Sequence, residues 1–457
     1  MYYCRNIKEI ILKKRLVFEC SSCGAKYSKW TGRCSNCGAW NSLIEVVEET
    51  SKNKIVQNNN TSNIYKLSEI DNEPEFRIKT KINELDRVLG GGIIPGSLVL
   101  VGGDPGIGKS TLMLQVCGNL HKDSIYITGE ESLKQIKYRS QRLKGINDIS
   151  ICSETEIETI INTIKKSQSK IAVVDSIQSV FSNNIDATAG SISQIRESAM
   201  KLFNLAKQEN IAIFLIGHVT KDGLIAGPKI LEHTVDTVIQ FEGDKNFSYR
   251  ILRSLKNRFG STNEIGIFEM NSEGLSEVLN PSEVFLSNIN KDENGIAIVS
   301  AIEGTRTILI EVQSLVSPSG YGMPQRVSNG FDSRRLQMIL AVIEKRLGFQ
   351  LKTQDIFVNL AGGLYINDTS IDLGIAVAVI SSYLEKSIPE KTLLIGEIGL
   401  TGEVRAVQSI PQRISEAEKL GIKKIILPNI NTQKLVLNTN VELFFADKIS
   451  NVLNILF

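Results

Sequence analysis

The run Gly103-Asp104-Pro105-Gly106-Ile107-Gly108-Lys109-Ser110 fits G-x-x-x-x-G-K-[ST], the spacing of a loop that cradles phosphates. Its glycines let backbone N–H groups curl around a β-phosphate. Lys109 supplies a point charge to the β- and γ-phosphates, the Ser110 hydroxyl reaches Mg2+, and Thr111 lies toward the α-phosphate. Two acidic positions complete a site for ATP. The apolar run from residue 171 ends in Asp175, expected to hold the Mg2+ shell with Ser176 beside it. The run from residue 125 ends in Glu130 and Glu131; Glu130 is favoured as the base that orients and polarises an attacking water.

A second chemistry lies near the N-terminus. Cys20, Cys23, Cys34 and Cys37 form C-x2-C-x10-C-x2-C, with Gly24 and Gly38 directly after each pair. Two residues between ligands let a tight turn aim both sulfurs at one ion, so the pattern predicts a structural, four-thiolate Zn2+ site with no open catalytic position. A pair of redox dithiols is the alternative, disfavoured by the symmetry of the two halves and the lack of a surrounding βαβ pattern. Residues 1–40 hold eight Lys/Arg and two acids, a net of +6 that falls to about +4 with four thiolates and one Zn2+. Tyr27, Trp30 and Trp40 either serve a contact with nucleic acid or protein, or pack around the metal. Cys4, Cys117 and Cys152 are single and read as small hydrophobes.

These residues need elements to hold them. Strand-like runs at 97–102, 124–128, 171–175, 211–217 and 235–241 alternate with helical stretches at 110–120, 156–167 and 192–208. That alternation predicts βαβ units and a mostly parallel sheet over residues 75–280. At the end of one such strand stands His218, a candidate sensor of the γ-phosphate or of bound DNA. Lys221, Gly223, Gly227 and Lys229 follow it in a basic loop. Residues 1–45 read as a basic leader, 1–19, plus the zinc module, and the polar stretch 46–74 as a flexible linker. Residues 281–457 read as a separate α+β domain. It has strands near 295–301, 307–315 and 393–397, and helices near 333–347, 373–384 and 410–420.

Composition bounds the rest. A chain of 457 residues with net charge +2 is no histone-like polycation, and 42% hydrophobic with 22% charged residues excludes a disordered one. No stretch approaches the ~20 apolar residues that span a bilayer. Clustered rather than scattered cysteines argue against a disulfide framework. A cytoplasmic protein without a membrane partner is the expectation.

In order along the chain come the Cys4 motif, Leu89-Gly-Gly-Gly-Ile-Ile-Pro-Gly-Ser97, the phosphate loop, Tyr126-Ile-Thr-Gly-Glu-Glu-Ser132 and Lys256-Asn-Arg-Phe-Gly260. This set resembles the RadA (Sms) family of bacterial DNA repair proteins over nearly the whole chain. The resemblance implies an α/β fold: a RecA-like P-loop ATPase core between an N-terminal Cys4 zinc module and a C-terminal Lon-protease-like domain. It implies a homo-oligomeric ring, a hexamer, around single-stranded DNA. It further implies an ATP-dependent DNA repair and recombination motor that promotes branch migration of branched recombination intermediates as a ring-shaped helicase, alongside the RecA recombinase. Lys256 and Arg258 would then be catalytic cations delivered to a neighbouring subunit's site, the alternative being an ordinary basic strand. DNA contacts are expected from 182–193 and 218–229. A non-motor, zinc-dependent adaptor with ATP as a switch is the competing reading.

Asp368-Thr-Ser-Ile-Asp-Leu-Gly374 and Gly396-Glu-Ile-Gly-Leu-Thr-Gly-Glu-Val404 resemble the proteolytic domain of Lon-type proteases. In that alignment Asp372 takes the place of the nucleophilic serine and Pro411 that of the activating lysine, so the dyad cannot be built; Ser370 is an off-register substitute. The domain is expected to be an inactive scaffold with Arg326, Arg334, Arg335, Lys345, Arg346 and Lys352 as candidate DNA contacts. An ATP-dependent protease is the remaining, weaker alternative.

Overall fold

Long apolar runs decide where the sheets lie. In the computed structural model, which describes residues 14–20, 25–49, 76–143, 146, 148–217, 231–243, 249–286, 293–320, 324–363, 365–429 and 439–457, they build one sheet in each of the two large regions.

Near the N-terminus, β1 (Lys14–Cys20) pairs antiparallel with β2 (Lys26–Tyr27) and β3 (Leu43–Glu49). Both ends differ from the sequence reading. Residues 14–19 of the expected leader are strand β1, and 46–49 of the expected linker finish β3, because full-length backbone pairing from Lys14↔Glu49 to Cys20↔Leu43 carries the ladder past the metal knob. Residues 50–75 lie outside the described ones.

The ATPase region holds β4 (Leu98–Gly102), β5 (Ser124–Thr128), β6 (Ser150–Ser153), β7 (Ile171–Asp175), β8 (Ala212–Ile216), β9 (Thr237–Glu242), β10 (Tyr249–Asn257), β11 (Ile265–Asn271) and β12 (Gly274–Glu277), in sheet order β12-β11-β10-β9-β4-β8-β7-β5-β6. Strands β4, β5, β7 and β8 are buried along their whole length, as parallel strands covered on both faces must be. The covering helices include α1 (Asn83–Val88), α2 (Lys109–Leu120), α3 (Leu133–Ser140), α4 (Ile157–Ser167) and α5 (Ile192–Glu209). In α4 the buried residues Ile157, Ile160 and Ile164 mark a single apolar stripe.

The sheet is mostly parallel, as the alternating pattern predicts, with an antiparallel extension on one side. From β9 onward β10, β11 and β12 run antiparallel to their neighbours. Six residues between β9 and β10 are too few for a crossover helix, which needs a dozen or more.

The C-terminal region contains β13 (Ile296–Glu303), β14 (Arg306–Pro318), β15 (Arg326–Asn329), β16 (Gln354–Leu360), β17 (Thr392–Leu394), the small hairpin β18 (Glu397–Ile398) and β19 (Val404–Arg405), then β20 (Lys424–Pro428) and β21 (Glu442–Ala446). The seven-stranded sheet runs β15-β16-β14-β13-β17-β20-β21. Its helices are α6 (Pro281–Leu286), α7 (Ser333–Leu347), α8 (Asp372–Leu384), α9 (Ile410–Lys419) and α10 (Ile449–Leu456). The expected strand 393–397 is two strands, broken at Ile395 and Gly396, where a Cβ on the glycine would stand 2.5 Å from the Val404 side chain. Helix α8 is buried from Asp372 through Ser382, and its Gly374 lies so close to Val299 that no Cβ fits.

The two large regions share a seam. Ile251, Ile265 and Ile267 belong to the same buried cluster as Val299, Ile308 and Ile310. Ion pairs run beside it: Arg306 to the fully buried Glu84 at 2.7 Å, and Arg253 to Glu303 at 2.9 Å.

Candidate functional site: a phosphate loop and its surroundings

Strand β4 ends where the phosphate loop begins, and α2 starts at Lys109. Gly103, Gly106 and Gly108 take φ of 141°, 78° and 121°, values that residues with a Cβ avoid. A Cβ on Gly108 would stand 2.8 Å from the Met270 side chain, whereas the space at Gly106 is open. Asp104, Pro105 and Gly106 form an exposed rim. No side chain caps α2 and no acid sits in its first turn, so its leading N–H groups are disposed to meet an anion. Lys109 is 3% exposed, and its Nζ donates to the Gly103 and Asp104 carbonyls at 2.7 and 2.9 Å. That posture holds the ammonium across the loop, where phosphate oxygens can take over from the carbonyls. Ser110 and Thr111 follow in the first turn.

Strand β8 separates β4 from β7, so Asp175 ends two strands away from the loop. Its carboxylate is buried and accepts from the Tyr126 hydroxyl. Burial first, and then the Asp175 charge, push the Tyr126 phenol well above its ordinary range, keeping it a donor. The two glutamates divide. Glu131 pairs with Arg139, while Glu130 accepts from the hydroxyl of Ser176, the residue after Asp175. Of the two acids, the structure therefore brings Glu130 against the Asp175 strand end.

Sequence reasoning missed Gln178. It is half-buried, its Oε1 has no partner among the described residues, and its amide nitrogen lies 3.7 Å from where a Cβ on Gly217 would stand. Gly217, whose N–H donates to Val101 at 3.0 Å, ends the strand between loop and Asp175. Its polar type three residues after a strand-ending acid is the one signal that marked Gln178. His218, Lys221, Gly223, Gly227 and Lys229 lie outside the described residues.

Lys256 and Arg258 stand elsewhere. Because β10 is antiparallel, Lys256 pairs with Val238, which pairs with Leu100. The loop begins three residues beyond Leu100, about 10 Å further along the strands. Lys256 Nζ donates to the Val235 carbonyl at 2.9 Å and to that of Glu232, and Arg258 reaches Asp236 at 3.3 Å. Burial and the neighbouring Arg258 lower the Lys256 pKa from its usual value. Both cations thus lie toward the end of the strands opposite the chain's own phosphate loop, beside the residues that lead into β9.

The segment 182–193 is organised by Gln194, whose side chain accepts from the Ser182 N–H and donates to the Ser182, Ile185 and Ala187 carbonyls. It carries Asp186 and no Lys or Arg; its Ser182 and Asn184 side chains donate to Glu158, the Asn183 amide donates to Glu156, and Lys201 donates to the Ser182 hydroxyl.

In the N-terminal module the sulfurs of Cys20, Cys34 and Cys37 lie within 4.8 Å of one another, with Cys20 and Cys37 at 3.7 Å. A tetrahedron with Zn–S bonds of about 2.3 Å has sulfur–sulfur edges of about 3.8 Å, so the three fit zinc. Cys23, the expected fourth ligand, lies outside the described residues. Burial pushes the Cys117 thiol up to about 12 and raises Cys152, which disfavours the thiolate at both.

In the C-terminal region Asp372 is buried and paired with Arg335, and Pro411 sits in the first turn of α9. Ser370 donates to the Ser300 carbonyl at 2.7 Å and accepts from Arg413 at 2.8 Å. Arg413 also binds Asp368 at 2.6 Å. A guanidinium cannot deprotonate a serine, so Ser370 has no activating base in Arg413.

Comparison with known proteins agrees with this three-part layout. Residues 18–45 match the rubredoxin metal binding domain model, 78–150 the KaiC ATPase model, and 328–431 the model of subunit ChlI of Mg-chelatase. The first marks a zinc ribbon and the second an ATP-binding, RecA-like ATPase. A KaiC-like protein of Pyrococcus horikoshii OT3 aligns at 22% identity and TM-score 0.38, over 45% of this chain and 100% of that one. The DNA repair protein RadA of Listeria monocytogenes is 46% identical over 96% of this chain and 98% of its own. That of Bacillus subtilis is 47% identical over 92% and 93%. With its zinc ribbon, RecA-like ATPase core and Lon-like C-terminal domain in the order the sequence predicts, the chain belongs to the RadA family of DNA repair proteins.

Proposed function

We propose that the chain is an ATP-driven motor on single-stranded DNA, acting as a ring, with six subunits expected, that extends branched recombination intermediates beside the RecA recombinase. The observation that carries this reading is the position of Lys256 and Arg258 toward the end of the strands away from the loop. Two cations so placed suit a phosphate bound by a neighbouring subunit, and the hydrolysis they promote then waits for assembly.

Within one site, Lys109 binds the β- and γ-phosphates, and the Gly103–Thr111 backbone cradles them. Ser110 and Asp175 would hold Mg2+, which neutralises charge on the phosphate oxygens when bound. Glu130 orients the water and takes its proton, while Tyr126 and Ser176 fix the carboxylates at the strand end. Lys256 and Arg258 stabilise the charge on the transferred group. The chain is organised as a zinc module that runs to Glu49 at the end of β3, a linker up to residue 74, ATPase 75–280 and an inactive protease-like domain 281–457. With arginine rather than lysine against Ser370, the peptidase alternative loses its chemistry.

Subunit mixing tests the reading. Lys109→Ala and Lys256→Ala chains should each be slow alone. Mixed, they should regain DNA-stimulated phosphate release, since some interfaces then pair an intact loop with an intact cation. No recovery on mixing, with rings seen by electron microscopy, sinks the shared site. Recombination that persists in cells carrying Lys109→Ala would favour the adaptor reading.

A further inference from the structure

The three aromatics of the zinc module separate cleanly. Tyr27 belongs to the metal knob: its hydroxyl lies 3.2 Å from the Cys34 sulfur, and it accepts from the Ser35 hydroxyl at 3.0 Å and the Asn36 N–H at 3.2 Å. The indoles do not pack there. Trp30 is 55% exposed and Trp40 is 72% exposed.

Both indoles ride on segments tied to each other. The Asn41 N–H donates to the Gly32 carbonyl at 2.8 Å, and Arg33 and Trp40 form an antiparallel bridge. The Arg33 guanidinium lies 5.6 Å from the Trp40 ring centroid, held by its own Nε donating to the Gly38 carbonyl at 3.0 Å. Between Glu19 and Glu45 the sequence has no acid, while Lys26, Lys29 and Arg33 supply positive charge.

Exposed aromatic faces beside a fixed guanidinium, on a stretch of chain that carries no acid from residue 20 to 44, match the chemistry of unpaired bases and their phosphates. Duplex does not offer those π-faces, because its bases are stacked on one another. We propose that Trp30 and Trp40 form a stacking platform for single-stranded DNA on the zinc module, with Arg33 and Lys29 contacting phosphates. The platform lies outside the ATPase core, and it stands or falls separately from the motor reading.

The sequence supplies its own probe. The chain contains two tryptophans, both in this module, so the emission of the full-length, zinc-loaded protein, excited where tyrosine does not absorb, reports on it alone. Titration with oligo-dT should quench that emission saturably, and less so as salt rises; a blunt duplex of equal length should not. Trp30→Phe and Trp40→Phe should each retain part of the quench. Trp30→Ala or Trp40→Ala, with zinc content verified by chelator-dye release, should weaken binding of a labelled oligo-dT by about tenfold. Oligo-dT that binds, by anisotropy, without moving the tryptophan emission overturns the platform and leaves DNA-stimulated ATP turnover untouched. Emission that changes only when a protein is added overturns it too, in favour of a protein-docking surface.

Discussion

Lys109 and Arg413 are both cations hidden from water, yet the two regions hold them in opposite ways. Lys109 rests on two carbonyls of an open-rimmed loop, partners that phosphate oxygens can replace. Arg413 is closed in by Gln408, Ser300, Ser370 and Asp368. The contrast separates a site from a scaffold: a charge meant for a ligand has exchangeable partners at a mouth, and a charge meant for stability has each of its nitrogens bonded inside the fold.

Breaking the scaffold side should give the largest effect. Arg413→Met strands the Asp368 carboxylate and should cost about 3–5 kcal/mol in urea unfolding, with ATP turnover per folded chain preserved. A loss under about 1 kcal/mol would put Arg413 in the ordinary range of an exposed pair. On the site side, Lys109→Ala should slow phosphate release by at least about a hundredfold while leaving the unfolding midpoint in place. Were the midpoint to fall as well, the loop lysine would be structural like Arg413.

The pH dependence sharpens the same comparison. Burial pulls the Asp368 carboxyl up, but the hydrogen bond and charge of Arg413 outweigh it, and the net shift is downward. A depressed carboxylate contributes stability above its unfolded value of about 3.9, lost as pH falls through the folded value. Asp368→Asn should therefore weaken the chain near neutrality and flatten the acid limb of its unfolding midpoint. Asp372 has the reverse sign: burial dominates Arg335 and raises its pKa, so acidification relieves that group. The smallest effect belongs to a helix cap. Asp332 accepts from the Arg334 and Arg335 N–H groups at the start of α7, and Asp332→Ala should cost about 1 kcal/mol by calorimetry. Its counterpart at α2 is Gly108, without any side-chain cap.

What could be read beforehand follows from how far apart the cooperating residues are. The phosphate loop is legible because its chemistry demands particular types in one contiguous run. Helix α7 is bounded as expected, since Asp332 caps its start and Gly348, at φ 78°, ends it. The reversal at β10 carried no local signal: the cue is a short connection whose meaning depends on which strand lies beside it. Tyr126 and Asp175 are 49 residues apart, and Arg413 and Ser370 are 43. No spacing rule links such pairs, so their geometry awaited the fold. The module aromatics look alike in sequence, and only packing distinguishes Tyr27 from the two indoles.

The seam between the two large sheets limits what can be learned by dissection. A fragment ending at residue 280 would leave Ile265 and Ile267 wetted and Glu84 without its Arg306; the complementary piece would bare Ile308 and Ile310. Each would expose greasy patches that the intact polypeptide conceals. Binding partners fished out with such halves would report on damage rather than on biology, and point variants in the uncut protein are the sounder tool.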